Sequence, residues 1–219
     1  MLVQWPLFLW MFRPLRWLTL VSAMTATGYV LFHDEPLLFP RDGYAVPFVL
    51  LHSFLISRLM GRVRSESFAF LYSQGFSRDA LWGHVWLATL ASVLATWLPC
   101  AVLILTPVRG LFQDYLLNPW FPVMAPTEWR FLTWVLLVYA LVLPVFQYEW
   151  IRSSMPYRGL VSGHLLAIGY FVFAVLLAER FWQFGADPAR WWLIGGFAIV
   201  SVILGLFGRW LHRRMEVCS

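Results

Sequence analysis

Six stretches of this chain are apolar almost without interruption, at about 17–32, 44–59, 81–105, 131–148, 159–178 and 191–208. Runs of this length predict helices that cross the hydrocarbon core of a bilayer. Pro99 falls inside the third run and Pro144 near the end of the fourth. Pro99 is expected to kink its helix, because proline lacks the donor and crowds the preceding turn. Polar residues collect between the runs. His33, Asp34, Glu35, Arg41 and Asp42 predict a short loop with Pro36 and Pro40. Residues 106–130 hold Pro107, Pro119, Pro122 and Pro126 and read as an outer loop partly sunk in the membrane interface. Glu149, Arg152 and Arg158 mark a short inner loop, and Glu179, Arg180, Asp187 and Arg190 an outer hairpin. Residues 1–16 are too short an apolar segment to cross. Trp5, Trp10, Arg13 and Arg16 suit a helix lying in the interface, with an N-terminal extension of the first span as the alternative reading. The segment lacks both the leading charge and the small-residue cleavage site of a signal peptide. No internal repeat or low-complexity linker interrupts the pattern, which predicts one membrane domain over 1–219.

The longest polar interruption lies between the second and third runs, in RSESFAFLYSQGFSRDALWGHVW, Arg64 to Trp86. It predicts a short surface helix across the inner ends of two spans. Ser65 is its expected cap, with Glu66 and Ser67 in the positive first turn. Phe68, Leu71 and Tyr72 share one apolar face. Ser73 follows, Gly75 ends the helix, and Ser77 caps the next one, with Arg78 and Asp79 behind it.

Glu66, Leu71, Ser73, Gly75, Ser77-Arg78, Leu81 and Gly83 resemble the segment after the second span of ABC-2-type transporter permeases. The resemblance covers about twenty residues. It departs at Ser67 and Phe68, where that family often has glycine, and at His84, where it often has lysine. The resemblance implies that 64–80 is a coupling segment docking on a separate ATP-binding cassette ATPase subunit, through Arg64, Glu66, Phe68, Leu71, Tyr72, Ser73, Gly75, Ser77 and Arg78. Arg64 and Arg78 would pair with acidic residues of that subunit, while Phe68, Leu71 and Tyr72 would fill its groove. It further implies an elbow helix at 1–16, a homodimer or a pairing with a second permease, export across a bacterial inner membrane, and ATP bound by the partner, with no cofactor in this chain. The alternative role for these side chains is packing on neighbouring spans or on lipid headgroups.

Composition sharpens the membrane reading. Of 219 residues 61% are hydrophobic, more apolar side chain than a soluble domain of this size hides from water. Fourteen tryptophans, many near run ends, suit an interfacial belt. All 16 basic residues are arginine. Without lysine the chain has no Walker-type phosphate loop and no Schiff-base lysine. With the N-terminus inside, six spans put 11 arginines in the cytoplasm and 5 outside, so both termini are expected to be cytoplasmic. The arginines flank apolar runs rather than forming one soluble patch, which argues against a nucleic-acid partner. Cys100 and Cys218 are not expected to pair.

Chemical motifs are sparse. His33, His52, His84, His164 and His212 show no metal-ligand spacing. His52 and His164 lie within spans, where an ionisable side chain is costly, and the simpler reading is a neutral ring bonded to a neighbouring helix. Glu149 and Glu179 sit at span ends, within reach of water. Ser162 and His164 point to different helix faces, two steps of about 100° apart, while Gly159 and Gly163 have close-packing spacing. The expected fold is all-α, with six spans, an interfacial helix and a cytoplasmic coupling helix between spans 2 and 3. The expected function is a permease subunit. The alternatives are a membrane-embedded enzyme, which a paired carboxylate or histidine cluster would favour, and a non-catalytic scaffold or assembly protein.

Overall fold

A computed structural model describes residues 4–32, 45–106, 129–152, 165, 169, 172 and 187–214. Every element among them is helical: α1 (Trp5–Phe12), a 3-10 turn (Arg13–Leu15), α2 (Arg16–Phe32), α3 (Ala45–Ser73), α4 (Arg78–Leu105), α5 (Trp129–Arg152) and α6 (Asp187–Arg214). Helix α2 packs along α4, α3 along α5, and α5 along α6, with α1 also resting on α4. Among the described residues α4 is the one helix long and apolar enough to cross a membrane by length and composition.

Helices α4, α5 and α6 extend through the third, fourth and sixth apolar runs and add turns to each. Both loops expected at 33–43 and 106–130 lie almost wholly outside the described residues. So does most of the fifth run, including His164 and the Ser162-Gly163 pair; Leu165, Gly169 and Val172 are helical. The polar ends of several runs differ from expectation. Arg152 is still in α5 rather than in a loop, and Asp187 to Arg190 form the first turn of α6 rather than a hairpin. An acidic residue at a helix N-terminus is favoured by the peptide dipoles. RWLHRR, which follows the sixth apolar run, is the end of α6. At the other end of the chain α1 continues into α2 through helical backbone that merely tightens at Pro14. Leu7 and Met11 of α1 are buried, and the Gln4 amide donates to His84 Nε2 at 3.1 Å. That bond puts the His84 proton on Nδ1, which donates to the Ala80 carbonyl at 2.7 Å.

The largest correction concerns 64–73, which form the last turns of α3 rather than a separate short helix. Ser65 therefore lies inside a helix and not at a helix start. Polar residues at 64–67 do not stop a helix when no proline intervenes and the buried stripe continues. Val49, Ile56, Met60, Phe68 and Leu71 are all buried along α3. What does stop it is Gly75, at φ +85°. Its amide donates to the Tyr72 carbonyl at 3.0 Å, and that of Phe76 to Leu71 at 3.2 Å. These two bonds make a Schellman closure, in which glycine takes the left-handed position. Ser77 then caps α4 as expected, its Oγ accepting from the Ala80 amide at 3.1 Å.

Proline inside α5 is accommodated by a neighbour. Pro144 has no N–H, so the Ala140 carbonyl one turn earlier loses its helical donor. The hydroxyl of Ser201 on α6 donates to that carbonyl. Polar groups otherwise meet inside the bundle: Thr19 and Ser92 hydroxyls lie 2.6 Å apart, joining α2 to α4, and His52 Nδ1 lies 2.6 Å from Tyr139 OH, joining α3 to α5. Large apolar side chains face outward instead, among them Leu94 and Leu98 on α4 and Ile199, Val202 and Leu206 on α6.

A test of the turn follows from its geometry. A Cβ on Gly75 would meet nothing within 4 Å, so Gly75→Ala is expected to cost only the backbone term, about 1 kcal/mol or a little more. Ser77→Ala is expected to cost about 1 kcal/mol through the lost cap. Each should lower the thermal midpoint by about 2–4 °C, read by circular dichroism in detergent, with Gly75→Asn milder than Gly75→Ala.

Candidate functional site

The turn between α3 and α4 is where the predicted residues converge, and the end of α6 joins them there. Asp79, in the first turn of α4, receives two guanidiniums. Arg209 donates through Nε to Oδ1 at 3.1 Å and through Nη2 to Oδ2 at 3.0 Å. Arg213, one helical turn later, donates through Nε to Oδ1 at 2.7 Å and through Nη2 to Oδ2. Both pairs are two-pronged, the geometry that makes a carboxylate–arginine contact directional. The hydrogen bonds from Arg213 and then Arg209 hold the Asp79 carboxyl well below the usual carboxylate range. Arg78 closes the group by donating from Nη1 to the Arg213 carbonyl, an acceptor at the unsatisfied end of α6.

His212 lies between these arginines and has no exposed surface. Its ring stacks on Trp82 at 5.3 Å and meets the edge of Phe68 at 6.0 Å. Its Nε2 is 3.5 Å from Tyr72 OH, a weak contact, while Nδ1 has no hydrogen-bond partner. Burial first, then the positive charges of Arg64 and Arg78, push its pKa down to about 4, against smaller opposing pulls from the Arg78 backbone and then from Asp79. The ring is therefore neutral at neutral pH. Arg78 also lies 5.8 Å over the Tyr72 ring, and burial raises the Tyr72 pKa despite Arg78 and Arg64.

This packing divides the predicted site residues. Phe68 and Leu71 keep 3% and 8% of their surface; with Tyr72, which is half-buried, they serve the chain's own core. Their expected use as an open apolar face is corrected accordingly. The exposed side of the same segment carries Glu66, Ala69, Phe70, Ser73, Gln74, Gly75 and Ser77, with Phe70 63% exposed. Ser73 Oγ turns back to donate to the Phe70 carbonyl at 2.7 Å. Arg64 and Arg78 are half-buried, Arg78 committed to Arg213 and Tyr72. Sequence reasoning missed Phe70 because helical spacing selects one face without saying which side it turns to the core. It missed Asp79, Arg209, His212 and Arg213 because their meeting spans more than 130 positions of the chain. The one available signal was the arginine pair at i, i+4 late in α6.

Elsewhere, Cys100 is a buried free thiol, and no group of three metal-ligating side chains forms among the described residues. Glu179 and Cys218 lie outside the described residues. Searches of protein families, of curated proteins and of solved structures find nothing that matches this chain.

The buried His212 makes the junction acid-sensitive. Its unfolded ring takes a proton near 6.5 and its folded ring near 4, so protons favour the unfolded chain. Its contribution to stability is full above about pH 6.5 and is lost as pH falls towards about 4. Asp79, also depressed, adds its loss at still lower pH. His212→Phe keeps a ring in place without the titration. The thermal midpoint of the wild type should fall more steeply than that of the variant between those two pH values, and the two should run parallel above pH 7.

Proposed function

We propose that this chain is the membrane-spanning permease subunit of an ABC-2-like transporter, working with a separate ATP-binding cassette ATPase that binds the ATP. The observation that carries this reading is the α3–α4 elbow. A glycine-closed helix end and a serine-capped helix start carry an exposed patch of Glu66, Phe70, Ser73, Gln74 and Ser77. The surface offers one large apolar side chain ringed by polar groups and glycine, the composition that suits a protein contact. The resemblance to the permease coupling segment shares Glu66, Ser73 and Ser77 with this patch.

The membrane part of the proposal rests on polarity. Leucine, isoleucine, valine and tryptophan face outward along α1, α2, α4 and α6, while histidine, serine, threonine and glutamine are buried. Contiguous apolar surface of that extent is unfavourable in water and favourable in lipid. Six spans, a bacterial inner membrane, cytoplasmic termini and a two-permease assembly complete the proposal. In this arrangement α1 lies at the interface, where Trp5, Trp17 and the adjacent Arg16, 5.6 Å over the Trp17 ring, suit lipid headgroups.

Two experiments test it. Phe70→Asp is expected to abolish co-purification with the ATP-binding cassette ATPase that the wild-type chain brings down and its stimulated hydrolysis, while membrane insertion is retained. Glu66→Arg is expected to weaken the same association, because it reverses the charge on the exposed side of the segment. Wild-type association and turnover in both variants would remove the elbow from the docking role. Separately, a phosphatase reporter fused after Ser219 should be inactive and a fluorescent one active, as the arginine asymmetry requires.

A further inference from the structure

Helix α3 meets α5 through His52 against Tyr139, and through Phe54 against Phe146 at 5.9 Å between ring centroids. His52 and Phe54 sit about 100° to either side of Ser53 on the helical wheel. Ser53 therefore marks the middle of the α3 face turned to α5, and Ser57 repeats it one turn later. On α5, Tyr139, Leu143 and Gln147 form one stripe at intervals of four. Both contacts advance along the two chains together, so the helices run parallel. Ser57 and Gln147 then lie on the same side of the His52–Tyr139 pair.

These side chains are closed off from the surface. Ser53 keeps 0%, His52 2%, Gln147 2% and Ser57 8% of their area. Yet His52 Nε2, Ser53 Oγ, Ser57 Oγ and both amide atoms of Gln147 have no hydrogen-bond partner among the described residues. Some other polar groups in the bundle pair, as Thr19 does with Ser92 and Ser201 with Ala140. Lone hydroxyls at Thr89 and Thr96 are unpartnered too, but the α3–α5 face collects a ring nitrogen, two hydroxyls and a whole amide. Buried polar atoms are almost always satisfied, by ordered water or a ligand where the protein does not supply the partner.

Chemistry narrows the occupant. Residues 45–57 and 131–148 contain no acidic or basic side chain apart from His52. Arg58, next along α3, is exposed and lies 5.8 Å over the Phe54 ring. A cation would find no carboxylate there and an anion no guanidinium. An amide with a free donor and a free acceptor, beside two hydroxyls, fits a group that both gives and accepts hydrogen bonds. We propose that His52, Ser53, Ser57 and Gln147 line a buried polar seam between α3 and α5 that binds a neutral hydrogen-bonding occupant, either water or the hydroxyl or amide of an uncharged solute. The seam depends on the packing of these two helices and not on the ATPase reading, so either one fails without the other.

Cysteine accessibility tests it. Ser53→Cys and Ser57→Cys are near-isosteric changes, made separately in a Cys218→Ser chain that retains the buried Cys100 as an internal reference. The purified full chain is treated with a small water-soluble methanethiosulfonate and labelling is located by peptide mass spectrometry. Both introduced thiols are expected to react at least about tenfold faster than Cys100, because an occupant that exchanges with bulk solvent opens a polar path to Ser53 and Ser57 that Cys100 lacks; rates equal to that of Cys100 would overturn the seam as an exchanging site. Radiolytic hydroxyl-radical footprinting of the unmodified chain gives a reading that needs no variant. His52 and Tyr139 should oxidise faster than the equally buried but intrinsically more reactive Met11, and the reverse order counts against the proposal. Native mass spectrometry separates the two sources. A retained small mass present in wild type and absent from Gln147→Leu identifies a solute, and fast labelling without such a mass identifies water.

Discussion

The carboxylate of Asp79 holds three helix ends in one place. It stands at the start of α4, immediately after the glycine turn that ends α3, and it anchors two arginines from the last turns of α6. Without it, Arg209, Arg213, Arg78 and Arg64 would crowd one end of the bundle with uncompensated positive charge. With it, the guanidiniums have fixed directions, and His212 is carried between Trp82 and Phe68 as a neutral ring. An isolated exposed ion pair is worth little, but two-pronged pairs in a network are better organised than that. Burial of His212 then supplies the apolar part of the same contact. Electrostatics aligns the helix ends and aromatic packing seals them.

The rest of the bundle has an apolar core into which a few polar groups are set, while apolar side chains also cover much of its outside. A polar group buried away from water has no solvent to turn to and is costly unless it finds a partner. Each internal hydrogen bond therefore also sets a register. Thr19 with Ser92 sets α2 against α4, and His52 with Tyr139 sets α3 against α5. Ser201 sets α6 against α5 by using a carbonyl that Pro144 had released. That last case shows how a proline can be kept in a buried helix: the broken bond becomes the neighbour's attachment point.

Local signals in the sequence were the most legible. Gly75 as a stop, Ser77 as a cap, Pro99 inside a long helix and the extent of the α4 run all depend on residues within a few positions of each other. Two things were not legible. Arg64 to Ser67 look like a break because they are polar, yet a helix carries polar residues on its outer side at no cost, so α3 runs on to Ser73. RWLHRR follows the sixth apolar run with dense charge, yet Arg209 and Arg213 face Asp79 and its histidine faces aromatic rings at 68, 72 and 82. No periodicity encodes contacts so distant along the chain. The orientation of the 66–77 segment followed from the same omission: once His212 of α6 meets Phe68 and Tyr72, Phe70 is left outside.

The covered face also changes where force would travel on the proposed reading. A partner pressing on Phe70 and Glu66 acts on the back of a segment whose front is fastened to α6. Spans 2 and 3, which flank the elbow, would not move alone. The Asp79 clamp and the His212 contact make α6 part of the same rigid body at this end, and Ser201 ties α6 to α5 further along. A displacement that leaves the clamp intact must therefore carry α6 with the elbow. One that opens it must remove two directional ion pairs and expose a neutral histidine to water, where it regains its affinity for protons. These two responses differ physically, since the first leaves the acid sensitivity of the junction unchanged and the second raises the proton affinity of His212 towards its ordinary value.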